Sequence, residues 1–395
     1  MTGPSVSVIV VSRNRPDALV RCVTGLEQLD YGPFEVIVVA DPGGIASLDA
    51  AGFAGLLTAI PFDTPNISAA RNQGLAAARG QVVAFVDDDA VPEPTWLTHL
   101  TGPMRDPEVA AAGGYVIGRN GISFQHRARR VDALGRHEPI AMSGDAPQVF
   151  GTHPGAAIKT EGTNCAFRAD VLRALGGFDP AYRFYLDETD VNLRLAVSGA
   201  RTAIVPLAQV HHGFAASDRR LANRVPTTLH EIGASQAVFL RRHAPESMAA
   251  GLDDLRAEQR RRLLRFMVAG LCDPRDVGRL LATLDAGISE GTVRDLTSPA
   301  PVQATGGAFH RFEGRSRFEG SAMLFGRPSD AQRLRQKARA LTGTGRRTTL
   351  FLFDRTPRYH SARFRADGGF WEQTGGQYGR SLRDQPLMRR ISLMD

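Results

Sequence analysis

Three consecutive carboxylates, Asp87, Asp88 and Asp89, follow directly on a short apolar run at residues 82–86. The run is continuous rather than alternating and reads as a buried strand of a parallel sheet. Acids at the carboxyl end of such a strand do not serve a core, and ligands of open α/β sheets bind just outside that end. Like charges this close repel unless a cation or protons offset them. A hard divalent cation held together with phosphates takes a few carboxylate oxygens. The triplet therefore suits a metal and phosphate site, and the plain alternative is a solvated turn that caps the next helix. A second acidic cluster, Asp187, Glu188 and Asp190, opens a later helical pattern, and His211 and His212 follow a later strand.

The elements that must position these groups are legible in order. Residues 5–12 form a first strand, broken by Arg13-Asn14-Arg15-Pro16, and Pro16 suits the first turn of a helix. Residues 34–40 form a second continuous strand ending at Asp41. Strand, helix, strand with apolar strands predicts a parallel βαβ unit. A helix opening in the polar cluster at residues 64–68 closes before Gly80. A strand over 110–118 precedes an irregular insertion, 119–159, of the kind that faces substrate. A strand resumes at 162–167, a helix ends at Gly176-Gly177, a helix follows Asp187 and ends at Gly199, and residues 203–207 form a short strand.

The chain has 395 residues, 43% of them hydrophobic, which predicts two or three domains with a sizeable core. No apolar run reaches the length of a membrane span, and the first residues lack the pattern of a signal peptide. A cytoplasmic location is expected. Cys22, Cys165 and Cys272 have no ligand spacing and read as small buried residues. The net charge is +7, while residues 331–395 carry 14 Lys plus Arg against 5 Asp plus Glu, a net of +9. That tail suits an anionic membrane surface or a phosphorylated acceptor. No basic stripe interleaved with aromatics is present, so no nucleic-acid partner is expected. Residues 229–284 are helical in pattern and rich in Arg, Arg-Phe-Glu-Gly at 311 and 317 suggests a hairpin, and residues 370–378 read as β-hairpin and turn.

Taken together, these stretches resemble glycosyltransferase family 2, over roughly residues 5–212. Val-Ile-Val-Val-Ser12-Arg13-Asn14-Arg15-Pro16 resembles the family's first strand and turn. Ser68-Ala-Ala-Arg71-Asn72-Gln-Gly74 resembles its Arg-Asn-x-Gly helix, and Asp87-Asp88-Asp89 its Asp-x-Asp motif. Gly176-Gly177-Phe178-Asp179, followed by an acidic pair and Leu193-Arg194-Leu195, resembles its catalytic carboxylate region. The resemblance implies an α/β fold of GT-A type, a mostly parallel sheet flanked by helices, at residues 1–228. A helical region at 229–300 and a basic, β-containing extension at 301–395 would follow.

The resemblance implies an inverting, metal-dependent transfer of a sugar from a nucleotide-diphosphate sugar to an acceptor hydroxyl, in polysaccharide or glycoconjugate biosynthesis. The acceptor classes are saccharide, lipid-linked sugar and protein. A divalent cation, Mn²⁺ or Mg²⁺, would offset charge on the leaving diphosphate. Asp89 and Asp87 would hold it, with His211 or His212. Ser12, Arg13, Asn14, Asp41, Arg71, Asp87 and Asp88 would contact the donor, Asp41 at the base. The family often has that acid one position earlier, where this chain has Ala40. Gly162, Thr163 and Asn164 would line the sugar. The family places its catalytic base in the acidic pair, so Glu188 would be the base, with Asp187 beside it, while Asp190 would support the helix N-terminus.

A catalytically silent nucleotide-sugar-binding subunit is the alternative, and the intact acidic clusters weigh against it. A nucleotidyltransferase or a Rossmann oxidoreductase would carry a glycine-rich loop after the first strand, which Arg13-Asn14-Arg15-Pro16 lacks.

Overall fold

In the first strand Val6, Val8 and Val10 are fully buried on one face while Ile9 is buried on the other. Strand side chains alternate between faces, so a strand buried on both faces belongs to a sheet covered on both sides. The computed structural model bears this out. It describes residues 3–386 apart from 154, 214, 216, 297, 383 and 384, so residues 387–395 of the basic tail lie outside the described residues.

The first half runs β1 (Val6–Ser12), α1 (Pro16–Leu26), β2 (Phe34–Ala40), α2 (Pro42–Ala50), β3 (Thr58–Pro61), α3 (Ile67–Ala77), β4 (Val82–Asp87), β5 (Ala90–Pro92), α4 (Trp96–Leu100) and β6 (Val109–Ile117). Short strands follow: β7 (Phe124–His126), β8 (Arg129–Asp132), β9 (His137–Pro139), β10 (Gln148–Phe150), β11 (Ala156–Ile158) and β12 (Cys165–Arg168). Then come α5 (Ala169–Ala174), α6 (Asp187–Val197) and β13 (Arg201–His212). The central sheet has the order β10-β13-β6-β12-β4-β1-β2-β3, with β5 on β13 and β7 on β6. β1 is parallel to β2 and β4, β2 to β3, and β13 to β6, while β12 is antiparallel to both its neighbours. The sheet is therefore mostly parallel and flanked by helices, the GT-A type of architecture. On one face α1 and α4 pack Leu19, Val23, Leu26 and Trp96 against β1 and β4; on the other, Leu75, Phe178 and Val191 cover Ile9 and Phe85.

Residues after Asp41 form α2, because Pro42 presets the first turn and Asp41 caps it. Two local expectations need correction. β13 is long, with a register shift after Val205, so His211 and His212 sit inside a strand and not after one. The repeated Arg-Phe-Glu-Gly stretch forms no hairpin. It belongs to a strap pinned beside β2 and α2: the N–H of Phe312 donates to the Phe34 carbonyl at 2.9 Å, and the Arg315 guanidinium lies 4.0 Å over the Phe53 ring.

After β13, α7 (His230–His243), α8 (Met248–Val268) and α9 (Pro274–Val293) share a core of Leu240, Leu255, Leu263, Leu280 and Leu284. Beyond the strap, β14 (Ser321–Gly326), α10 (Ala331–Gly343), β15 (Arg347–Asp354), β16 (Ser361–Arg365) and β17 (Phe370–Gly376) build a second sheet of order β14-β15-β17-β16. α10 covers it through Leu334 and Ala338. No described helix is long and apolar enough to cross a membrane.

Candidate active site

The carboxyl ends of β1, β2 and β4 converge on one loop. Asn14 takes a left-handed φ of 57°, which Asn tolerates better than most residues. Its backbone N–H donates to Asp41 Oδ1 at 2.9 Å, and Asp41 Oδ2 accepts from the N–H of Gly44 at 3.3 Å. Asp41 thus caps α2 and braces the β1 loop. It stands outside the lining of the cleft described below. Ser12, Arg13 and Asn14 do line it. Arg13 pairs with Asp63 at 3.0 Å and with Asp218 at 3.5 Å.

The three acids after β4 have three different surroundings. Asp88 is fully buried, accepts from Ser12 Oγ at 2.6 Å and lies 2.7 Å from Arg15. Burial pushes its carboxyl up, to about 7, against the pull of Arg15. It faces inward, and its partners are Ser12 and Arg15. Asp89 is also buried, but there the hydrogen bond from His212, the charge of Arg15 and the N–H of Ala215 at 2.8 Å outweigh burial. They hold its carboxyl well below the usual range. Asp87 remains part-exposed.

His212 Nε2 lies 3.1 Å from Asp89 Oδ1, and one ligand atom each from Asp87, Asp89 and His212 fall within 4.8 Å of one another. His212 Nδ1 meets Gln125 Oε1 at 3.0 Å. With Nδ1–H given to Gln125, Nε2 would be the atom offered to a cation, the tautomer a metal-binding imidazole needs. Two carboxylates and an imidazole form a donor set that suits Mn²⁺. His211 stands apart from this cluster. It points to the opposite side of β13, where Nε2 meets Glu93 at 2.5 Å and its ring lies 4.3 Å from Trp371 of the C-terminal sheet. Neighbouring strand residues face opposite ways, so only one of the two can join the cluster.

Arg71 links this cluster to the second acidic pair. It is 4% exposed and lies over the Phe85 and Phe178 rings. One nitrogen pairs with Asp187; the other lies 3.4 Å from Asp87 and 3.2 Å from the Gly162 carbonyl. Tyr185 and Leu186, both in left-handed backbone, turn the chain sharply into α6. Such residues persist where surrounding packing overrides the local cost. The Asp187 side chain is 4% exposed, whereas that of Glu188 is 17% exposed and pairs with the buried ammonium of Lys159. Burial raises Asp187 to about 7, while for Glu188 the Lys159 charge outweighs burial and holds it down at about 2. Asp190 does more than support a helix end: it is fully buried and bonded to Arg194 and, at 2.9 Å, to His243 of α7. Asn164 is fully buried. It accepts from Trp96 Nε1 at 2.8 Å and donates to the carbonyls of Tyr115 and Ala208, filling the strand interior. Thr163 is buried beside it.

The cleft outside these strand ends has a volume of about 410 Å³ and is lined by Asp87, Asp89 and His212 on one side and Tyr185, Arg219 and Arg262 on the other. Neither Asp187 nor Glu188 lines it. Arg15, Gln125, Lys159 and Arg220 had no role in the sequence reading. Lys159 carried a signal, as one of two lysines among 48 basic residues.

An open, mostly parallel sheet with acids at the strand ends beside a cleft defines a ligand-binding α/β domain. Residues 7–175 match the family model described as Glycosyl transferase family 2. A pre-mycofactocin glycosyltransferase of Mycobacterium tuberculosis is 30% identical over 223 residues, covering 53% of this chain and 44% of that protein. The O-antigen biosynthesis protein RfbC of Myxococcus xanthus is 29% identical over 244 residues, covering 56% and 18%. The chain spans less than half the length of these relatives. A mannosyltransferase of Pyrobaculum calidifontis, solved with GDP-Man and Mn²⁺, is 16% identical, with 74% of this chain and 88% of that one covered at a TM-score of 0.46.

Proposed function

We propose that the protein is an inverting glycosyltransferase that moves a sugar from a nucleotide-diphosphate sugar to an acceptor hydroxyl, in polysaccharide or glycoconjugate biosynthesis. The observation that carries this reading is the convergence of Asp87, Asp89 and His212 at the edge of an open cleft. A divalent cation bound by these three would neutralise charge on the leaving diphosphate. Asp89, ionised through the physiological range, and Nε2 of His212 suit that duty. Ser12, Arg13 and Asn14 line the donor side, and Arg219 and Arg220 add positive charge that suits phosphate oxygens.

Inversion needs a carboxylate to take the acceptor proton as the acceptor oxygen bonds to the anomeric carbon and the bond to the diphosphate breaks on the opposite face. Glu188 is the better candidate of the pair, because Asp187 is committed to Arg71 and nearly closed off. The acceptor classes are saccharide, lipid-linked sugar and protein. One observation favours a second reading, a nucleotide-sugar-binding subunit without turnover: Glu188 is paired with Lys159 and does not line the cleft. A screen of hydrolysis and transfer across uridine, guanosine and thymidine diphosphate sugars with Mn²⁺ or Mg²⁺ separates the two. Metal-dependent turnover of one donor supports the enzyme; donor binding without turnover, with every acceptor class supplied, supports the silent subunit.

A further inference from the structure

Most arginines in this chain are partnered, but Arg260, Arg261 and Arg265 in the last turns of α8 are exposed and, among the described residues, make no ion pair or hydrogen bond. Arg256, one turn earlier, shows the contrast: it pairs with Asp253 and Asp285 at 3.0 and 2.8 Å. At 3.6 residues per turn the three arginines, Leu264 and Val268 fall within an arc of about 140°. Leu255 and Leu263, on the opposite side, are buried against α7 and α9. Val268 stands within this basic arc at 84% exposure.

The helix then stops in a glycine turn. The N–H of Leu271 donates to the Phe266 carbonyl and that of Gly270, at φ 70°, to the Met267 carbonyl, both at 2.9 Å. This pattern closes a helix and turns the chain sharply. It leaves Leu271 42% exposed at the tip of the α8–α9 hairpin.

We propose that this hairpin tip docks on an anionic bilayer surface. The unpaired guanidinium groups match its charge. Val268 and Leu271 select a bilayer over a soluble polyanion, because only an acyl boundary removes their surface from water. The face also lies close to the cleft. Arg262 of the same helix lines the cleft, about 9 Å of helical rise from Val268 and turned about 120° from it. Docking there holds the cleft mouth near the surface, where an acceptor carried by a lipid is presented.

The test is co-sedimentation of the full chain with phosphatidylglycerol-containing vesicles and with phosphatidylcholine vesicles, at about 50 and about 500 mM salt. Binding to the anionic vesicles only, weakened at the higher salt, is expected. The combined Arg260→Gln, Arg261→Gln and Arg265→Gln variant should bind about 10²-fold more weakly, about fivefold per arginine. Val268→Asp should bind about tenfold more weakly. Circular dichroism of each variant checks that α8 is intact. Arg333→Gln with Arg346→Gln, exposed in the C-terminal region, should leave binding unchanged. No preference for anionic vesicles, a triple variant that binds like wild type, or loss confined to the Arg333 and Arg346 variant would each overturn the proposal. The readout is independent of turnover, so it stands or fails apart from the enzymatic reading.

Discussion

His212 Nε2 lies 3.1 Å from Asp89 Oδ1, which ties the end of β13 to the loop after β4. The relationship joins two distant parts of the chain through β5, whose Ala90 and Val91 pair with His212 and His211. The same pairing turns His211 away. Exchanging the two histidines' roles by mutation therefore gives an asymmetric outcome. His212→Ala should weaken Mn²⁺-dependent donor binding by more than about 10²-fold, since even outer-shell partners are worth 10–100-fold. His211→Ala should leave it within about threefold and act on the packing against Trp371. Equal losses from both, measured by titration, would reject the ligand set.

Glu188→Gln should keep donor and metal binding while kcat falls by about 10²–10⁴, the usual weight of a general base. Asp187→Asn should lower kcat less and act through the position of Arg71. A near wild-type rate for Glu188→Gln with a dead Asp187→Asn would move the base to Asp187.

Lys159 gives a pH test of the same assignment. Its ammonium outweighs burial and keeps Glu188 ionised down to about 2. In Lys159→Gln burial acts unopposed by that charge, so the carboxyl rises and is protonated at higher pH. The acidic limb of the kcat profile should then move toward neutrality. An unmoved limb in an active Lys159→Gln enzyme would separate Glu188 from the proton transfer.

Much of this was open to sequence reading. The strands at β1, β2 and β4 are continuous apolar runs, and their ends are marked by Arg13-Asn14, Asp41 and Asp87. The fold and the location of the acidic groups follow from those patterns. What each acid touches does not, because burial and long-range partners decide it. Asp88 and Asp89 are adjacent, yet one meets Ser12 and the other His212. Asp41 and Asn164 are residue types that fit a ligand and here satisfy backbone groups instead. The C-terminal sheet was read only in part, as β structure over 370–378, and its seat stayed hidden because it depends on Trp371 meeting His211.

Asp190 makes the fold sensitive to acid. Burial alone would raise its carboxyl, but the bonds from His243 and Arg194 outweigh it and hold the carboxyl below 3.8. A depressed carboxylate contributes its full stability above the unfolded value and loses it as pH falls through the folded one. Urea midpoints should therefore drop as pH falls below about 4. Asp190→Asn should cost about 3 kcal/mol at neutral pH by leaving buried cations unpaired, and flatten that acid limb. An unchanged limb in the variant would assign the acid sensitivity to other carboxylates.

The central claim is a metal-assisted nucleotide-sugar site at Asp87, Asp89 and His212. Calorimetric titration of the uridine, guanosine and thymidine diphosphates, with Mn²⁺ and then with chelator, in wild type and Asp89→Ala, tests it most directly. One nucleotide should bind wild type with Mn²⁺ and lose more than about 10²-fold in affinity with chelator, and Asp89→Ala should match that loss with its fold unchanged. Equal affinity with and without metal, or wild-type metal dependence in Asp89→Ala, would contradict it.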